Sequence, residues 1–362
     1  MKVLVMGGTR FNGLALVREL ARHGHEVTIF NRGRTEAEIP LGVRRLLGDR
    51  TDHAGMAEVF AGEDFDCVYD ISAYTPDDVR GMIEIFRGRT GHYVFASSTV
   101  IYATSSVLPI TEDFPVDRSA KQGQYGLDKL ECEAMLLDEH RKNGFPATIV
   151  PFSMVFGPNN IIPEREQRMF SRLLAGRPVL IPGNGSTVSQ IGHVDDEARA
   201  LRMLMQRPIT YGKRYNLTGR DSWTDEGYVD TFAEVTGVEA RKVFVPPEVM
   251  DRLYDDELIL DVKDVASYRN IRTASTSTPD AHQNLRFLQQ VIQRLAPYIH
   301  RWNQSTVFSI DRLRRDVGFE PEYTFPRAVE HTYEWYRREG LHETREFDFR
   351  WEDALLDHLG EA

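Results

Sequence analysis

Two side chains in the middle of the chain have the types and the spacing of an acid–base pair. Tyr125 and Lys129 stand four residues apart, and on a helix this spacing places both on one face. A free phenol has a pKa of about 10, and a nearby ammonium favours the phenolate. The pair therefore predicts a tyrosine that removes a proton from a substrate near neutral pH.

A glycine-rich turn follows the first apolar run of the chain. Residues 7–13 read Gly-Gly-Thr-Arg-Phe-Asn-Gly and lie between a predicted strand and a predicted helix. Glycines permit positive φ angles and a close approach of the backbone to a pyrophosphate, which the amides at a helix N-terminus stabilise. We interpret the turn as the site of a nicotinamide dinucleotide rather than a purely structural turn. The residues predicted to contact the cofactor here are Gly7, Gly8, Thr9, Arg10, Phe11 and Gly13.

The end of the second predicted strand is where a dinucleotide-binding sheet reads the adenosine ribose. This chain has Asn31 and Arg32 there instead of an acidic residue, and Arg10 is nearby in the glycine turn. Arginine suits a 2′-phosphate, so the pattern favours NADP over NAD. A solvated basic turn at Arg32 and Arg34 is the alternative. Asp49, after the third predicted strand, either binds the adenine amino group or is a plain loop residue.

The first half of the chain alternates short apolar runs with amphipathic segments, a pattern typical of a parallel sheet covered by helices on both faces. Strands are predicted at 2–6, 26–31, 44–47, 67–71, 93–96 and 148–150, and helices at 14–22, 52–60, 77–86 and 127–142. The predicted fold is α/β, with a doubly wound parallel Rossmann sheet over residues 1–150. Residues 151–362 are predicted to form mainly a smaller α/β substrate-binding domain, with some segments returning to the sheet. Within it, residues 255–304 are interpreted as an insertion, a mobile loop followed by one helix, that caps the cleft.

The composition excludes several classes of protein. With 55 acidic and 44 basic residues the net charge is −11, which repels nucleic-acid backbones and anionic membranes. The two cysteines, Cys67 and Cys132, are too few for a disulfide framework or a zinc site, and both are expected to pack. No metal site is predicted, and His193 is expected to pack or hydrogen-bond near the cleft. With no export signal and no membrane span in view, we expect a cytoplasmic protein.

The motifs together resemble the extended short-chain dehydrogenases/reductases of the nucleotide-sugar epimerase/dehydratase type. The resemblance spans nearly the whole chain and rests on the glycine turn, Tyr125 with Lys129, and residues 70–73, 98–102, 156–158, 192–196 and 313–321. It implies a catalytic triad of Ser98, Tyr125 and Lys129, in which Ser98 hydrogen-bonds the reacting oxygen and Lys129 also binds the nicotinamide ribose. The structural alternatives are a Ser98 that only caps a turn and a Tyr125 that only packs.

The same resemblance carries further implications for the cofactor, the substrate and the assembly. It implies cofactor contacts from Ser72, Ala73 and Phe152, and a homodimer formed through the helices at 77–86 and 127–142. The 4,6-dehydratases of the family carry an acidic pair where this chain has Thr99 and Val100, so dehydration by that route is not expected.

A second departure from the family concerns the arginine that clamps the nucleotide diphosphate, which is Ser189 here, beside Gln190. Arg165, Arg168 and Arg172 are candidates to replace it, although a helix with several arginines is commonly a solvated face. The residues predicted to bind substrate are Ser98, Thr99, Asn159, Arg168 and Gln190.

Three functions follow from these features. The leading hypothesis is an epimerase of a sugar, expected to be a nucleotide sugar, that acts through a transient keto intermediate. The second is an NADPH-dependent reductase or dehydrogenase of a sugar or related carbonyl compound, which Arg10 and Arg32 favour. The third is a non-catalytic RNA-binding protein, because Arg10 in the glycine turn resembles a subgroup that includes chloroplast stem-loop RNA-binding proteins. Tyr125, Lys129 and the negative net charge weigh against it.

Overall fold

A computed structural model describes residues 1–260, 262, 284, 287–288, 291–292 and 299–361. Its strands are β1 Lys2–Met6, β2 Glu26–Asn31, β3 Arg44–Leu47, β4 Cys67–Asp70, β5 Tyr93–Ser98, β6 Ala147–Phe152, β7 Met154–Phe156, β8 Val179–Pro182, β9 Val188–His193, β10 Lys213–Arg214, β11 Ser222–Thr224 and β12 Lys242–Val245. Its α-helices are α1 Phe11–Arg22, α2 His53–Val59, α3 Pro76–Phe86, α4 Gln124–Asn143, α5 Glu166–Leu174, α6 Val194–Leu204, α7 Asp225–Thr236, α8 Pro247–Tyr254, α9 Asp311–Val317, α10 Phe325–Arg338, α11 Leu341–Thr344 and α12 Arg350–Leu359.

The first half of the chain supplies six strands of a seven-stranded parallel sheet with the order β10-β6-β5-β4-β1-β2-β3. The central strands β4, β5 and β6 are buried along their whole length, which explains why they consist largely of apolar residues. The predicted doubly wound α/β fold is confirmed. Strands β1, β2 and β3 have the predicted bounds. Strands β5 and β6 are longer than predicted because Ser97 and Ser98 continue the ladder of β5 opposite Pro151 and Phe152 of β6.

The second half of the chain forms two smaller sheets and returns once to the large one. A three-stranded sheet has the order β11-β9-β7, a two-stranded sheet pairs β12 with β8, and β10 joins the edge of the large sheet beside β6. These small sheets pack with α5, α7 and α10 around their own apolar core. The division of the chain near residue 150 stays a prediction.

Most of the predicted insertion at 255–304, including the Ser/Thr-rich run at 273–279, lies outside the described residues. Four apolar side chains of its predicted helical part are described and are buried in the core of the second half: Phe287, Leu288, Val291 and Ile292. Both cysteines are free and buried, as expected for packing residues. Among the described helices, none is long and apolar enough to cross a bilayer.

A buried arginine links the ends of the strands that will form the site. The guanidinium of Arg50, which follows β3, donates to Asp70 at the end of β4 at 2.9 and 3.0 Å and to Asp78 at 2.9 Å. It also donates to Ser72 Oγ at 2.9 Å. Burial disfavours the charged guanidinium, but the two carboxylates outweigh burial and raise the pKa of Arg50. The network holds the loop after β3 against the loop after β4.

We expect Arg50→Met to lower the free energy of unfolding by about 3 to 5 kcal/mol, because it leaves two buried carboxylates without their cation. Urea unfolding of the purified variant measures this loss. The matched control is Arg44→Met, which removes a guanidinium that pairs with Glu63 at the surface, where an ion pair contributes below about 1 kcal/mol. Equal losses in the two variants would contradict the structural role of Arg50.

Candidate active site

Helix α4 positions the predicted acid–base pair at the carboxyl end of the large sheet. It begins after Gly123, whose backbone is extended, and ends at Gly144, whose positive φ of 71° closes the helix. Lys129 points into the protein, where its Nζ donates to the carbonyl oxygens of Ala73 at 2.7 Å and Ala96 at 2.6 Å. The Tyr125 ring centroid is 5.8 Å from that Nζ. The structure therefore brings the two residues together, as their spacing predicts.

Lys129 is enclosed by aromatic rings, with buried ionisable groups of Asp70 and Glu133 close enough to act on its charge. The side chain is 3% exposed, and the ring centroids of Tyr74 and Phe95 lie 5.2 and 4.7 Å from its Nζ. Burial lowers the pKa of Lys129 to about 8, although Asp70 and other neighbouring groups oppose the shift. An ammonium with this pKa is poised to lose its proton a little above neutral pH.

Strand β5 delivers Ser98 to the same place. Ser98 is its last residue and is 8% exposed, and its Oγ accepts a hydrogen bond from the Val100 amide at 3.4 Å, so it caps the short 3-10 turn Thr99–Ile101. The capping alternative for Ser98 is thus observed. Because Ser98 Oγ is the acceptor in this cap, its hydroxyl hydrogen remains available for donation to another group. Thr99 follows with its side chain fully buried.

Sequence reasoning missed a buried charge next to this group. Glu133 lies one turn after Lys129, is 1% exposed, and accepts hydrogen bonds from Ser97 Oγ and from Arg214, whose Nε is 2.9 Å away. Burial raises the pKa of Glu133, and Arg214 opposes that rise. The signal in the sequence was the recurrence of chemistry-bearing residues at 125, 129 and 133, which share one helix face. Glu133 ties the end of β5 to α4 and β10.

The glycine turn, which we call the cradle, packs so closely that a side chain at Gly7, Gly8 or Gly13 would collide with other protein atoms. A Cβ on Gly7, whose φ is +92°, would lie 2.9 Å from Ser72 Cβ, and a Cβ on Gly13 would lie 2.5 Å from the Gly7 carbonyl oxygen. Gly8 is closed in by Ile29 and Val17. The backbone of the turn therefore approaches both α1 and the loop after β4 without side chains in between, which fits a bound pyrophosphate.

Residues around the cradle are placed as a dinucleotide site requires. Thr9 and Phe11 lie in the turn, and Phe11 begins α1 with a positive φ of 36°. Ser72 and Ala73 follow β4, and Phe152 ends β6 beside Ser98 in the ladder. All of these residues follow the carboxyl ends of their strands, where parallel sheets place ligands.

Near the end of β2, some polar side chains are held by hydrogen bonds within the protein, whereas the arginines are exposed. Asn31 Oδ1 accepts from the Gly33 amide at 2.8 Å, while its buried Nδ2 has no hydrogen-bond partner in the described part of the chain. Arg10 and Arg32 are exposed, and neither forms an ion pair with any described residue. Asp49 Oδ1 accepts from the amide and the hydroxyl of Thr51, and these hydrogen bonds lower the pKa of the Asp49 carboxyl.

The predicted substrate residues of the second half are held by the protein itself. Asn159 has a positive φ of 64° in the loop after β7. Gln190 in β9 uses both ends of its amide, donating to the Gly219 carbonyl at 2.8 Å and accepting from the Phe308 amide at 3.0 Å. Its described contacts therefore support the loops rather than point to a ligand.

The arginines of α5 differ from the solvated face that was considered for them. Arg168 and Arg172 are each 2% exposed, and both donate to Glu352 in α12, with Nη–Oε1 distances of 2.7 Å. Arg168 also donates to the Asp348 carbonyl at 2.6 Å. The expectation of a solvated face is wrong for this pair. Both guanidinium groups are buried because the Glu352 carboxylate, which is distant in sequence, is buried with them and balances their charge. The guanidinium of Arg168 is thus engaged by Glu352 and Asp348, and its role as a substrate ligand stays a prediction.

His193 packs near the cleft as expected. The fold also brings His331, which is distant in sequence, next to its ring. Its ring stacks on Tyr323 with centroids 3.8 Å apart, its Nδ1 accepts from the Asp195 amide at 3.3 Å, and its Nε2 lies 3.2 Å from His331 Nδ1. These two histidines and the Asp195 carboxylate are close enough to be considered as metal ligands. However, a neutral imidazole that accepts at Nδ1 carries its proton on Nε2, so the contacts fit a hydrogen-bond chain.

Comparison with known proteins identifies the family. The model of the NAD dependent epimerase/dehydratase family matches residues 3–218, which include the glycine turn, Ser98, Tyr125 and Lys129. The chain belongs to this family. It is an enzyme of the extended short-chain dehydrogenase/reductase type, which confirms the resemblance noted from the sequence.

Curated relatives of this family member have several activities. It is 32% identical over 263 residues to the chloroplast stem-loop binding protein of 41 kDa b of Arabidopsis thaliana, covering 69% of this chain and 65% of that protein. It is 24% identical to the 2′-dehydrokanamycin reductase of Streptomyces kanamyceticus, with 72% and 74% covered. It is 27% identical to a UDP-glucose 4-epimerase of Corynebacterium glutamicum, with 79% and 93% covered.

A solved structure supports the fold over nearly the full length. The dTDP-glucose 4,6-dehydratase of Bacillus anthracis, determined in complex with NAD, superposes with a TM-score of 0.70 over 94% of this chain and 98% of the other. The two sequences are 16% identical, so this likeness concerns the fold alone.

The buried ammonium predicts a pH-dependent stability. Between about pH 8 and 10 the unfolded chain keeps a proton on Lys129 that the folded protein has lost, so the stability of the wild type should rise with pH relative to Lys129→Met. We expect a rise of roughly 1 kcal/mol per pH unit in this window and a constant difference below it. Urea unfolding at a series of pH values measures it, with the exposed Lys142→Met on the same helix as the reference. A flat difference would show that Lys129 titrates as it does in the unfolded chain.

Proposed function

We propose that the protein is an NAD(P)-dependent epimerase of a sugar, specifically a nucleotide sugar, and that Ser98, Tyr125 and Lys129 are its catalytic residues. The observation that carries the proposal is the buried Lys129, which is held by two backbone carbonyl groups with its Nζ beside the Tyr125 ring. This arrangement stands at the same carboxyl edge of the sheet as the closely packed glycine cradle. A base next to a dinucleotide site is what the oxidation of a sugar hydroxyl requires.

The cradle and its surroundings would hold the cofactor. Gly7, Gly8 and Gly13 leave room for the pyrophosphate, Asn31 and Asp49 would meet the adenosine, and Ser72, Ala73 and Phe152 would line the path to the nicotinamide. The Asn31 Nδ2 group, buried without a partner in the described part of the chain, fits a donor reserved for a ligand. When bound, the dinucleotide supplies the carbon that takes up and returns the hydride of the sugar carbinol.

The protein residues handle the proton and the orientation. Tyr125, as the phenolate, accepts the proton of the sugar hydroxyl, while Ser98 donates a hydrogen bond to the same oxygen. The positive charge of Lys129 stabilises the phenolate, and the second step reverses the proton transfer, so Tyr125 donates to the oxygen of the keto intermediate. Glu133 and Arg214 keep β5 and α4 in register, so Ser98 and Tyr125 hold their separation through both steps.

A specific observation favours a second candidate, an NADPH-dependent reductase of a sugar or related carbonyl compound. Arg10 and Arg32 are exposed at the turn and at the end of β2, without ion-pair partners among the described residues, so both are available to a 2′-phosphate. A reductase among the relatives supports the same candidate. We therefore propose NADP as the preferred cofactor for either activity.

The stem-loop binding relative keeps RNA binding among the outcomes to be tested, and salt-sensitive RNA binding that survives Tyr125→Phe would favour it. The net charge of −11 opposes it.

The homodimer implied by the resemblance stays a prediction. The exposed positions of α3 are charged at Asp77, Arg80 and Glu84, so a dimer through this helix would rely on ion pairs more than on apolar area.

The first test of the proposal is turnover of UDP-glucose, UDP-galactose and dTDP-glucose with NAD⁺ and NADP⁺. We expect the product to be the epimer, without net formation of reduced nicotinamide, and we expect Tyr125→Phe to lower kcat at least about 100-fold, because it removes the general base. Chromatography of the sugars and absorbance of the reduced nicotinamide report the two quantities. The control Tyr211→Phe removes a phenol hydroxyl remote from the site, one that donates to the Gly91 carbonyl. Stoichiometric consumption of NADPH with a keto sugar would replace the epimerase by the reductase.

The cofactor preference gives a separate test. Arg32→Ala should raise the Kd of NADPH about tenfold and leave the Kd of NADH unchanged, because the lost charge-assisted hydrogen bonds serve only the 2′-phosphate. Fluorescence titration of the reduced cofactors measures both constants, and Arg80→Ala on the outer face of α3 is the control. Equal weakening of NADH and NADPH would show that Arg32 acts on the shared part of the cofactor.

A further inference from the structure

Among the residues that the structure describes, three histidines are almost completely buried, and they differ in how their ring nitrogens are used. His92 is paired at both nitrogens, with Thr148 Oγ1 at 2.8 Å and the Gln206 amide at 3.1 Å. His193 is also engaged at both. His300 is 3% exposed, yet neither Nδ1 nor Nε2 has a hydrogen-bond partner in the described part of the chain. A buried imidazole without partners costs stability, so its presence calls for an explanation.

The position of His300 supplies a reason. It belongs to residues 299–309, which we call the strap. The strap receives hydrogen bonds from Thr104 Oγ1 to the Ile299 carbonyl at 2.9 Å and from the Ile110 amide to the Val307 carbonyl at 2.7 Å. At its far side, the Thr306 amide donates to the Val188 carbonyl at 2.8 Å. The strap therefore bridges the loops after β5 and the start of β9, and it is fixed at both ends.

The first residue of the strap contacts the catalytic group. Ile299 packs against Val100, and Tyr125 lies against the same small cluster. Val100 is only two residues from Ser98. His300 follows Ile299 directly and is close enough to Asp117 for that carboxylate to influence its titration. The unused imidazole thus belongs to the residue that follows the one packed against Val100 and Tyr125, and it lies near Asp117.

Two other polar groups in this corner also lack partners. Thr99 Oγ1 and Gln122 Oε1 are buried, and neither has a hydrogen-bond partner among the described residues. Gln122 Nε2 donates to the Val100 carbonyl at 2.9 Å, which fixes the amide with its oxygen unused. Three side chains from three separate segments, at 99, 122 and 300, therefore carry unsatisfied polar atoms. Each is linked to Val100 through its own chain segment: Thr99 precedes it, Gln122 donates to its carbonyl, and His300 follows the residue that packs on it. Separate orphaned groups in one corner next to a reactive tyrosine indicate a ligand site rather than three independent packing defects.

We propose that His300, with Thr99 and Gln122, forms a subsite that binds the hydroxyl groups of the sugar next to the carbon that reacts. The inference rests on the proposed function, since it concerns the same substrate, but it assigns a role to a strap outside the catalytic triad. A neutral imidazole offers one donor and one acceptor, which matches a hydroxyl group that both donates and accepts. Burial lowers the pKa of His300 to about 4 against the opposing pull of Asp117, so the ring is neutral at physiological pH.

In this subsite His300 contributes to binding of the sugar, whereas other residues bind the nucleotide and the cofactor. His300→Leu should raise the Kd of the nucleotide sugar about tenfold, which corresponds to two lost neutral hydrogen bonds. The Kd values of UDP or dTDP alone and of the nicotinamide cofactor should not change. His300→Asn keeps a donor and an acceptor and should recover part of the affinity.

Calorimetric titration of the full chain with UDP-glucose, UDP-galactose and dTDP-glucose, each compared with its free nucleoside diphosphate, tests the proposal. The matched control is His92→Leu, which removes a buried imidazole whose two nitrogens are both paired. It should lower Tm and leave the sugar-specific part of binding unchanged. For His300→Leu, a loss confined to the sugar-bearing ligands supports the subsite, whereas equal Kd values in wild type and variant overturn it.

If the wild type binds none of these ligands, that result counts against the proposed function. The Tm values of the variants then test the role of His300 separately. A Tm for His300→Leu at or above that of the wild type supports a residue held for a ligand, because an apolar side chain removes an unpaired buried group. A fall like that of His92→Leu shows a structural histidine and overturns the subsite.

Discussion

The positive charge of Lys129 has to be accommodated away from water, and the fold does so with two backbone carbonyl oxygens. One belongs to Ala73, after β4, and the other to Ala96, within β5, so the ammonium joins two neighbouring parallel strands to α4. Because Tyr125 lies one turn earlier on the same helix, fixing Lys129 also fixes the phenol. The separation of base and cation is therefore set by a helix, a strand and the loop that follows β4, and sites built on such regular elements are positioned more precisely than sites on loops alone.

Two groups of buried, paired charges lie close to this site. Arg50 with Asp70 and Asp78 stands on one side, and Glu133 with Arg214 on the other. Each pair joins segments that are distant in sequence, and each is enclosed where a lone charge would be costly. The loops that carry Ser72 and Ser98 are thereby held in place before any ligand arrives, which reduces the reorganisation that binding and reaction would otherwise require.

Much of this arrangement could be predicted from local patterns. The apolar runs predict β1 and β2, since inner strands of a parallel sheet are buried on both faces, and the four-residue spacing identifies Tyr125 and Lys129. The bounds of β3, a partly exposed edge strand, are also as predicted. Local patterns do not reveal contacts between distant segments. Nothing near Arg168 in sequence indicates that Glu352 neutralises it, and nothing near His193 indicates His331. His300 was hidden for a related reason, because only the folded chain shows that a buried ring lacks partners.

The contact between α5 and α12 has a consequence for the C-terminal tail. Arg168 and Arg172 are almost completely enclosed, and the carboxylate that both of them reach belongs to Glu352, in the last helix of the described chain. A shortened protein ending before this helix would leave two guanidinium groups in the interior without a counter-ion. The tail is therefore an integral part of the second core, and a trimmed version of the enzyme should begin to misfold at α5, far from the cut.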